Sequence, residues 1–234
     1  MDDLFFFSLI VLSIYTIIPT ILIRVFGLGA YKEASGQQGV ALTFDDGPDP
    51  QYTPQLLDLL QQYNVKATFF VLGSKAEKHP ELIRRMHQEG HLVGVHNYVH
   101  HTNGLMSPWK VRGQLRDSIR TIERIIGVKP IHYRPPWGVF NLFDFFLFRK
   151  FRVVLWSLIV GDWVSRGGSE RIKQQLLKKL KNGDVIVLHD SGQTFGADRD
   201  APAHMLQALR EFLEEASKQG YAFKRIDEHL AEPA

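Results

Sequence analysis

The chain of 234 residues contains no cysteine. That excludes a disulfide framework and any thiolate metal site, so a bound metal must rest on His, Asp or Glu. It also has little surplus charge: 28 Lys and Arg stand against 25 Asp and Glu, a net charge of +3. The cations are spread along the sequence, so a nucleic-acid partner is not expected. Internal repeats and low-complexity tracts are lacking, which sets aside solenoid and disordered classes. With 44% hydrophobic and 23% charged residues, the composition is that of an ordinary globular protein. The part beyond the N-terminal segment is long enough for one domain with a full core.

Charge is missing altogether from residues 4–23, where only Ser8, Ser13, Tyr15, Thr16, Pro19 and Thr20 interrupt the apolar run. About twenty apolar residues at helical rise match the hydrocarbon thickness of a bilayer. A cleaved signal peptide would need a basic start and a small-residue exit; here Asp2 and Asp3 open the chain and Gly27-Leu28-Gly29 is a poor cleavage site. The expected organisation is a membrane anchor over 1–28, with a signal segment as the alternative, a linker over 29–38 and a domain over 39–234. The membrane is therefore an expected partner. Arg24 and Lys32 follow the span and no Lys or Arg precedes it, which points to a cytoplasmic domain.

From Gly39 onward short apolar runs alternate with amphipathic stretches of helical length. Strands are expected at 40–44, 67–72, 92–95, 153–157, 185–188 and 221–223, and helices at 54–63, 80–89, 107–126, 170–180 and 203–218. Pro108 just inside the start and Gly127 just past the end delimit the longest helix. This order implies parallel strands covered by helices, an α/β barrel or a doubly wound sheet.

Polar residues that look out of place cluster just after the strands, where α/β folds gather catalytic groups. Thr43-Phe44-Asp45-Asp46-Gly47-Pro48 sets two carboxylates at a buried strand end, where repulsion and lost hydration call for compensation; a solvated turn is the alternative. In His96-Asn97-Tyr98-Val99-His100 the two imidazoles share one face of a helical turn and can reach one ion. His87 and His91 have the same spacing, but Gly90 falls between them, and they are taken as surface residues. Tyr133-Arg134-Pro135-Pro136-Trp137-Gly138 suits a rigid wall that holds a carboxylate and presents an aromatic to a sugar, or a plain connector. Gly161-Asp162-Trp163 and Ile186-Val187-Leu188-His189-Asp190 complete the set.

These five segments, in this order and rough spacing, resemble the motifs of carbohydrate esterase family 4, the NodB-type deacetylases of chitin, peptidoglycan and related N-acetylated glycans. The resemblance spans Gly39 to about Leu230. It implies a distorted (β/α) barrel, here preceded by an N-terminal transmembrane helix, and one divalent metal, zinc with cobalt or nickel as alternatives. Asp46, His96 and His100 would bind the metal and Asp45 would be the general base, partnered by Arg134. His189 would be the general acid with Asp162 as its charge partner. Trp137 would line the groove, its backbone N–H helping to bind the oxyanion, and Val187 would contact the acetyl methyl. The substrate would be an N-acetylated amino-sugar glycan or a lipid-linked sugar, and the domain would lie outside the cytoplasm, against the indication from Arg24 and Lys32. Two departures are an Asn at 97, where Ser or Thr is usual, and a fourth motif that leaves Asp162 as the only carboxylate available to His189.

Two rival functions stay open: hydrolysis of another amide, formyl or small cyclic, and glycan binding without catalysis. The aromatic run over 140–151 exceeds the apolar stripe of a covering helix. On an α-helical wheel Phe145 and Phe148 turn away from the core, which together with Arg149, Lys150 and Arg152 suggests contact with a membrane surface.

Overall fold

The computed structural model describes residues 2–34, 36 and 38–230; the ends of the expected anchor and domain, and two residues of the expected linker, lie outside them. Nine strands form one sheet: β1 (Ala30–Tyr31), β2 (Val40–Asp45), β3 (Thr68–Val71), β4 (Leu92–Val95), β5 (His132–Tyr133), β6 (Arg152–Val154), β7 (Leu158–Ile159), β8 (Val185–His189) and β9 (Phe223–Lys224). Their order is β1-β6-β5-β4-β3-β2-β8-β7, with β9 beside the start of β2, and every pairing between them is parallel. Among the described residues β1 and β7 do not pair, so the sheet curls without closing, the distortion expected of this barrel type. Residues 30–31, expected within a linker, instead supply its edge strand.

Helices α1 (Asp2–Leu12) and α2 (Ile18–Arg24) flank a π-helical turn at Ser13–Ile17. Pro19 explains that turn, since proline cannot donate to the helix and its ring crowds the preceding carbonyls. The remaining helices are α3 (Tyr52–Gln62), α4 (Gly73–Lys78), α5 (Pro80–Gln88), α6 (Pro108–Ile126), α7 (Gly168–Lys179), α8 (Ala201–Lys218) and α9 (Ile226–His229). Ser107 caps α6 by accepting from the Lys110 N–H, and Gly127 ends it at φ 72°, a left-handed conformation that glycine adopts without cost.

β2 and β8 are buried on both faces, as parallel strands between two layers must be. Leu42, Phe44, Ile186 and Leu188 join Leu60, Leu209 and Phe212 in the core beneath the helices. The opposite face carries Ala41 and Val185, which meet Phe70, Val154 and Ile226 inside the barrel. Alternation therefore turns Thr43, Asp45, Val187 and His189 toward the interior.

The aromatic run differs from expectation. Leu142–Arg149 is a 3₁₀ helix, which repeats every three residues. One row, Asn141, Asp144 and Leu147, is buried; a second, Phe145, Phe148 and Phe151, packs against the core; the third, Phe143, Phe146 and Arg149, is exposed. Phe145 and Phe148 thus belong to the protein interior, and a wheel drawn at the α-helical period misassigned them. His91 is also corrected: it is buried, and its Nδ1 accepts the Ala67 N–H at 3.1 Å. Its partner His87 is at the surface.

Candidate active site and metal centre

Strand register assembles the site. Asp45 lies directly opposite His189 across β2 and β8, about 5 Å away by strand spacing. His96 follows the last residue of β4 and Arg134 the last of β5, and Val95 and Tyr133 are themselves paired. Four motifs thereby open onto one end of the barrel. Among the described residues, three of the four non-glycine residues with positive φ stand here: Asp46 at 77°, Asn97 at 64° and Trp137 at 56°. Such backbone is costly away from Asn and Asp and gathers at functional sites.

The two aspartates diverge. Asp45 accepts from Arg134 Nη1 at 2.7 Å. The fully buried guanidinium also donates to Thr43 Oγ1, Val154 O and Leu155 O and lies over the Phe70 ring at 4.3 Å. Asp46 turns the other way: its Oδ1 is 3.3 Å from His96 Nε2 and 3.2 Å from His100 Nε2. Residues 98–100 form a bend rather than the expected helical turn. The two imidazoles converge because Asn97, at left-handed φ, folds the chain back. Asn97 is pinned there by donating to His101 O and Asn103 Oδ1 and accepting from the Tyr133 hydroxyl.

These three side chains fit a metal. Their donor atoms lie within 4.8 Å of one another, and two ligands of one tetrahedral zinc stand roughly 3.3 Å apart. Asp46 Oδ1 is buried without a hydrogen-bond partner, an expensive state unless a cation occupies the space before it. His96 Nδ1 lies 2.7 Å from the Arg134 carbonyl, so it carries the proton and leaves Nε2 as the free donor. Burial pushes His100 down to about 4, which keeps it neutral and able to ligate. Burial acts to raise the Asp46 carboxyl, but the His96 contact and the neighbouring imidazoles outweigh it and hold the group below the usual carboxylate range.

His189 stands on the other side. Its Nδ1 is 3.1 Å from Asp162 Oδ1, and its backbone N–H donates to Asp162 Oδ2 at 2.7 Å. Burial acts to lower its pKa, but the Asp162 carboxylate prevails, with help from Asp46 and Asp45, and raises it to about 9. The imidazole is therefore protonated at neutral pH, with Nε2–H free to donate. Trp137 is exposed and sets its ring edge-on to His100, centroids 4.3 Å apart. Val187 is buried on the same face of β8 as His189.

Some partners were not signalled by the motifs. Thr194 Oγ1 donates to Asp46 Oδ2 at 2.7 Å, and Lys75 Nζ donates to the Asp46 carbonyl at 2.9 Å. Thr194 sits in a loop and Lys75 on α4, where nothing local marks them. Asp190, adjacent to His189, accepts from the Thr53 hydroxyl, and burial raises it to about 7. A side chain at Gly47 would collide with the Asp190 carboxylate, which accounts for glycine there.

Comparisons with known proteins identify the family. Residues 32–142 match the family model described as polysaccharide deacetylase. A peptidoglycan-N-acetylglucosamine deacetylase of Bacillus cereus is 36% identical over 208 residues, covering 87% of this chain and 93% of the relative. The peptidoglycan-N-acetylmuramic acid deacetylase PdaA of Bacillus subtilis is 31% identical over 212 residues, covering 88% and 75%. Among solved structures, the Bc1960 peptidoglycan N-acetylglucosamine deacetylase in complex with a naphthalenyl N-oxidanyl-benzamide superposes with a TM-score of 0.80 at 30% identity, covering 88% of this chain and 95% of that one. Identity at this level across nearly the full length of both partners means that the chain belongs to the polysaccharide deacetylase family.

Proposed function

We propose that the protein removes N-acetyl groups from an amino-sugar glycan, with peptidoglycan as the substrate class. One observation carries this reading: Asp45 and His189 flank the Asp46, His96 and His100 cluster from adjacent strands, with opposite proton-transfer character. Amide hydrolysis needs both a base for water and an acid for the leaving nitrogen. A divalent ion on the three ligands, zinc by the donor set with cobalt or nickel as alternatives, would supply Lewis acidity toward the amide carbonyl and water. Asp45, oriented by Arg134, accepts a proton as water adds to the carbonyl carbon. His189, oriented through Nδ1 by Asp162, gives its Nε2 proton to the nitrogen as the C–N bond breaks. Acetate and a free amine leave. Trp137 offers a ring for the sugar, and Val187 an apolar contact for the methyl. The substrates named for the similar proteins support the sugar, and the apolar helix Phe5–Arg24 supports a membrane-held enzyme.

The test is a panel of N-acetylglucosamine oligomers, peptidoglycan fragments, a formylated amino sugar and a small cyclic amide, assayed for released acid with the full chain in detergent. Acetate release from the first two, abolished by chelation and restored by zinc or cobalt, is expected. Turnover of the formyl or cyclic amide alone would move the substrate class. A metal-loaded chain that binds glycan and hydrolyses nothing would leave only recognition.

A further inference from the structure

The apolar N-terminal helix does not stand free of the domain. Its second half is docked: Tyr15 donates to Met106 O, Thr16 to Gly104 O and Thr20 to Phe140 O, while Pro19 and Ile23 are buried. Among the residues of described burial in this helix, the one long stretch exposed throughout is 5–12, about 12 Å of helix against roughly 30 Å of hydrocarbon. A bilayer that takes up this helix must therefore also meet the protein surface beside it. That surface is apolar and exposed, with Leu105 at 78%, Trp109 at 77% and Phe146 at 64%. Phe143 joins it to the helix through a ring contact with Tyr15 at 6.2 Å.

Beyond Phe143 a groove of about 1370 Å³ opens between α6 and the 3₁₀ segment, larger than the roughly 300–1,000 Å³ of a small-molecule pocket. Six cations line it, Arg112, Arg116, Arg120, Lys129, Arg149 and Lys150, against Glu123 and a buried Asp144. Their excess over the acids exceeds the +3 of the whole chain. Arg112, Arg116 and Arg120 repeat every four residues on one face of α6, a spacing at which like charges repel. Among the described residues only Arg116 of the six has an ion-pair partner, Asp117. An apolar floor, a cationic rim and continuity with a membrane-seeking helix together match one ligand chemistry: an acyl chain bearing an anionic head.

We propose that this groove binds an anionic phospholipid of the bilayer that holds the helix. Its chain lies along Trp109, Phe143 and Phe146, and its phosphate between Arg112 on α6 and Arg149 on the 3₁₀ segment. The seat is independent of the deacetylase reading, since none of these residues belongs to the metal site or its proton donors.

The experiment uses the full chain in phosphatidylcholine vesicles doped with a small fraction of brominated phosphatidylglycerol or brominated phosphatidylcholine, and reads tryptophan quenching. Anionic lipid should be enriched at the groove at least about fivefold, the factor for one cation at an anionic surface, so the brominated phosphatidylglycerol should quench more strongly. Trp109→Phe should remove most of that difference. Paired Arg112→Gln and Arg149→Gln should equalise the two lipids while quenching persists. These three side chains are exposed, so the fold survives the changes, and unaltered zinc stoichiometry checks it. Equal quenching of the wild type by both lipids, or a preference unchanged in Trp109→Phe or in the paired arginine variant, overturns the proposal.

Discussion

Replacing Asp162 by Asn tests the acid role proposed for His189. The amide keeps an oxygen to accept the His189 backbone N–H, a bond of 2.7 Å in the native protein, but loses the carboxylate 3.1 Å from Nδ1. Burial pulls the imidazole pKa down and the carboxylate lifts it to about 9; without the carboxylate burial remains, and the value falls to about 6.5 or below. A group raised in this way delivers its proton fully at low pH and loses it as pH climbs through about 9. With the ordinary imidazole value of about 6.5 for the variant, the protonated fraction near pH 8 drops from about 0.9 to about 0.03, a loss of roughly thirtyfold, whereas near pH 5.5 it is still about 0.9. A bound dication lowers both values together, which moves the window to lower pH without changing the ratio reached above it. The assay is kcat/KM for acetate release with metal saturating, followed across this range. The Asp162→Asn variant should lose little activity in acid, beyond any constant factor from altered ring orientation, and much more in base. A wild-type to variant ratio that stays the same at both ends would mean that Asp162 does not set the proton of His189.

Arg134→Met leaves Asp45 buried without its cation and should destabilise the protein by about 3–5 kcal/mol in urea titration; adding Asp45→Asn should recover at least half. No recovery would assign the loss to packing on Phe70 and Trp156 instead. Because the chain has no cysteine, Ser217→Cys on the exposed end of α8 gives one site for a membrane-impermeant maleimide. Labelling of intact cells is expected, the side on which peptidoglycan lies; labelling only after lysis would put the domain inside with Arg24 and Lys32.

Much of the fold was legible because its elements announce themselves locally. β4 and α6 fall at the residues that periodicity, Ser107 and Gly127 indicate. The convergence of the candidate site residues was legible for a related reason: in a parallel sheet each motif ends a strand, so chain order alone brings the motifs to one rim. What escaped was whatever depends on a second period or on distant contacts. The 3₁₀ repeat over 142–149 looks like an α-helical pattern until the hydrogen bonds are known. The strand expected over 153–157 stops at Val154 as β6, and the next strand, β7, starts only at Leu158. Thr194 and Lys75 reach Asp46 from elements that carry no motif, and His91 is buried because Ala67, 24 residues earlier, needs an acceptor.

The docked helix supports the wall from Arg134 to Phe140 directly. Trp156 lies under Arg24 at 5.3 Å and under Arg134 at 5.6 Å, so one ring touches both the end of the apolar helix and the arginine that orients Asp45. The Arg134 carbonyl fixes the tautomer of His96, and a few residues on Phe140 exchanges two hydrogen bonds with Thr20. Gly104, which accepts from Thr16, has no room for a side chain against Thr16 and Val139. Polar groups inside an apolar helix are costly in lipid unless bonded, and here Tyr15, Thr16 and Thr20 spend theirs on backbone carbonyls of the catalytic domain. A helix serving only as a tether would have no use for those three side chains, nor for burying Ile23 in the core. The apolar segment therefore acts as part of the shell that holds the wall from Arg134 to Phe140, and whatever takes up its exposed face is held at a fixed distance from Asp46, His96 and His100 rather than on a free leash.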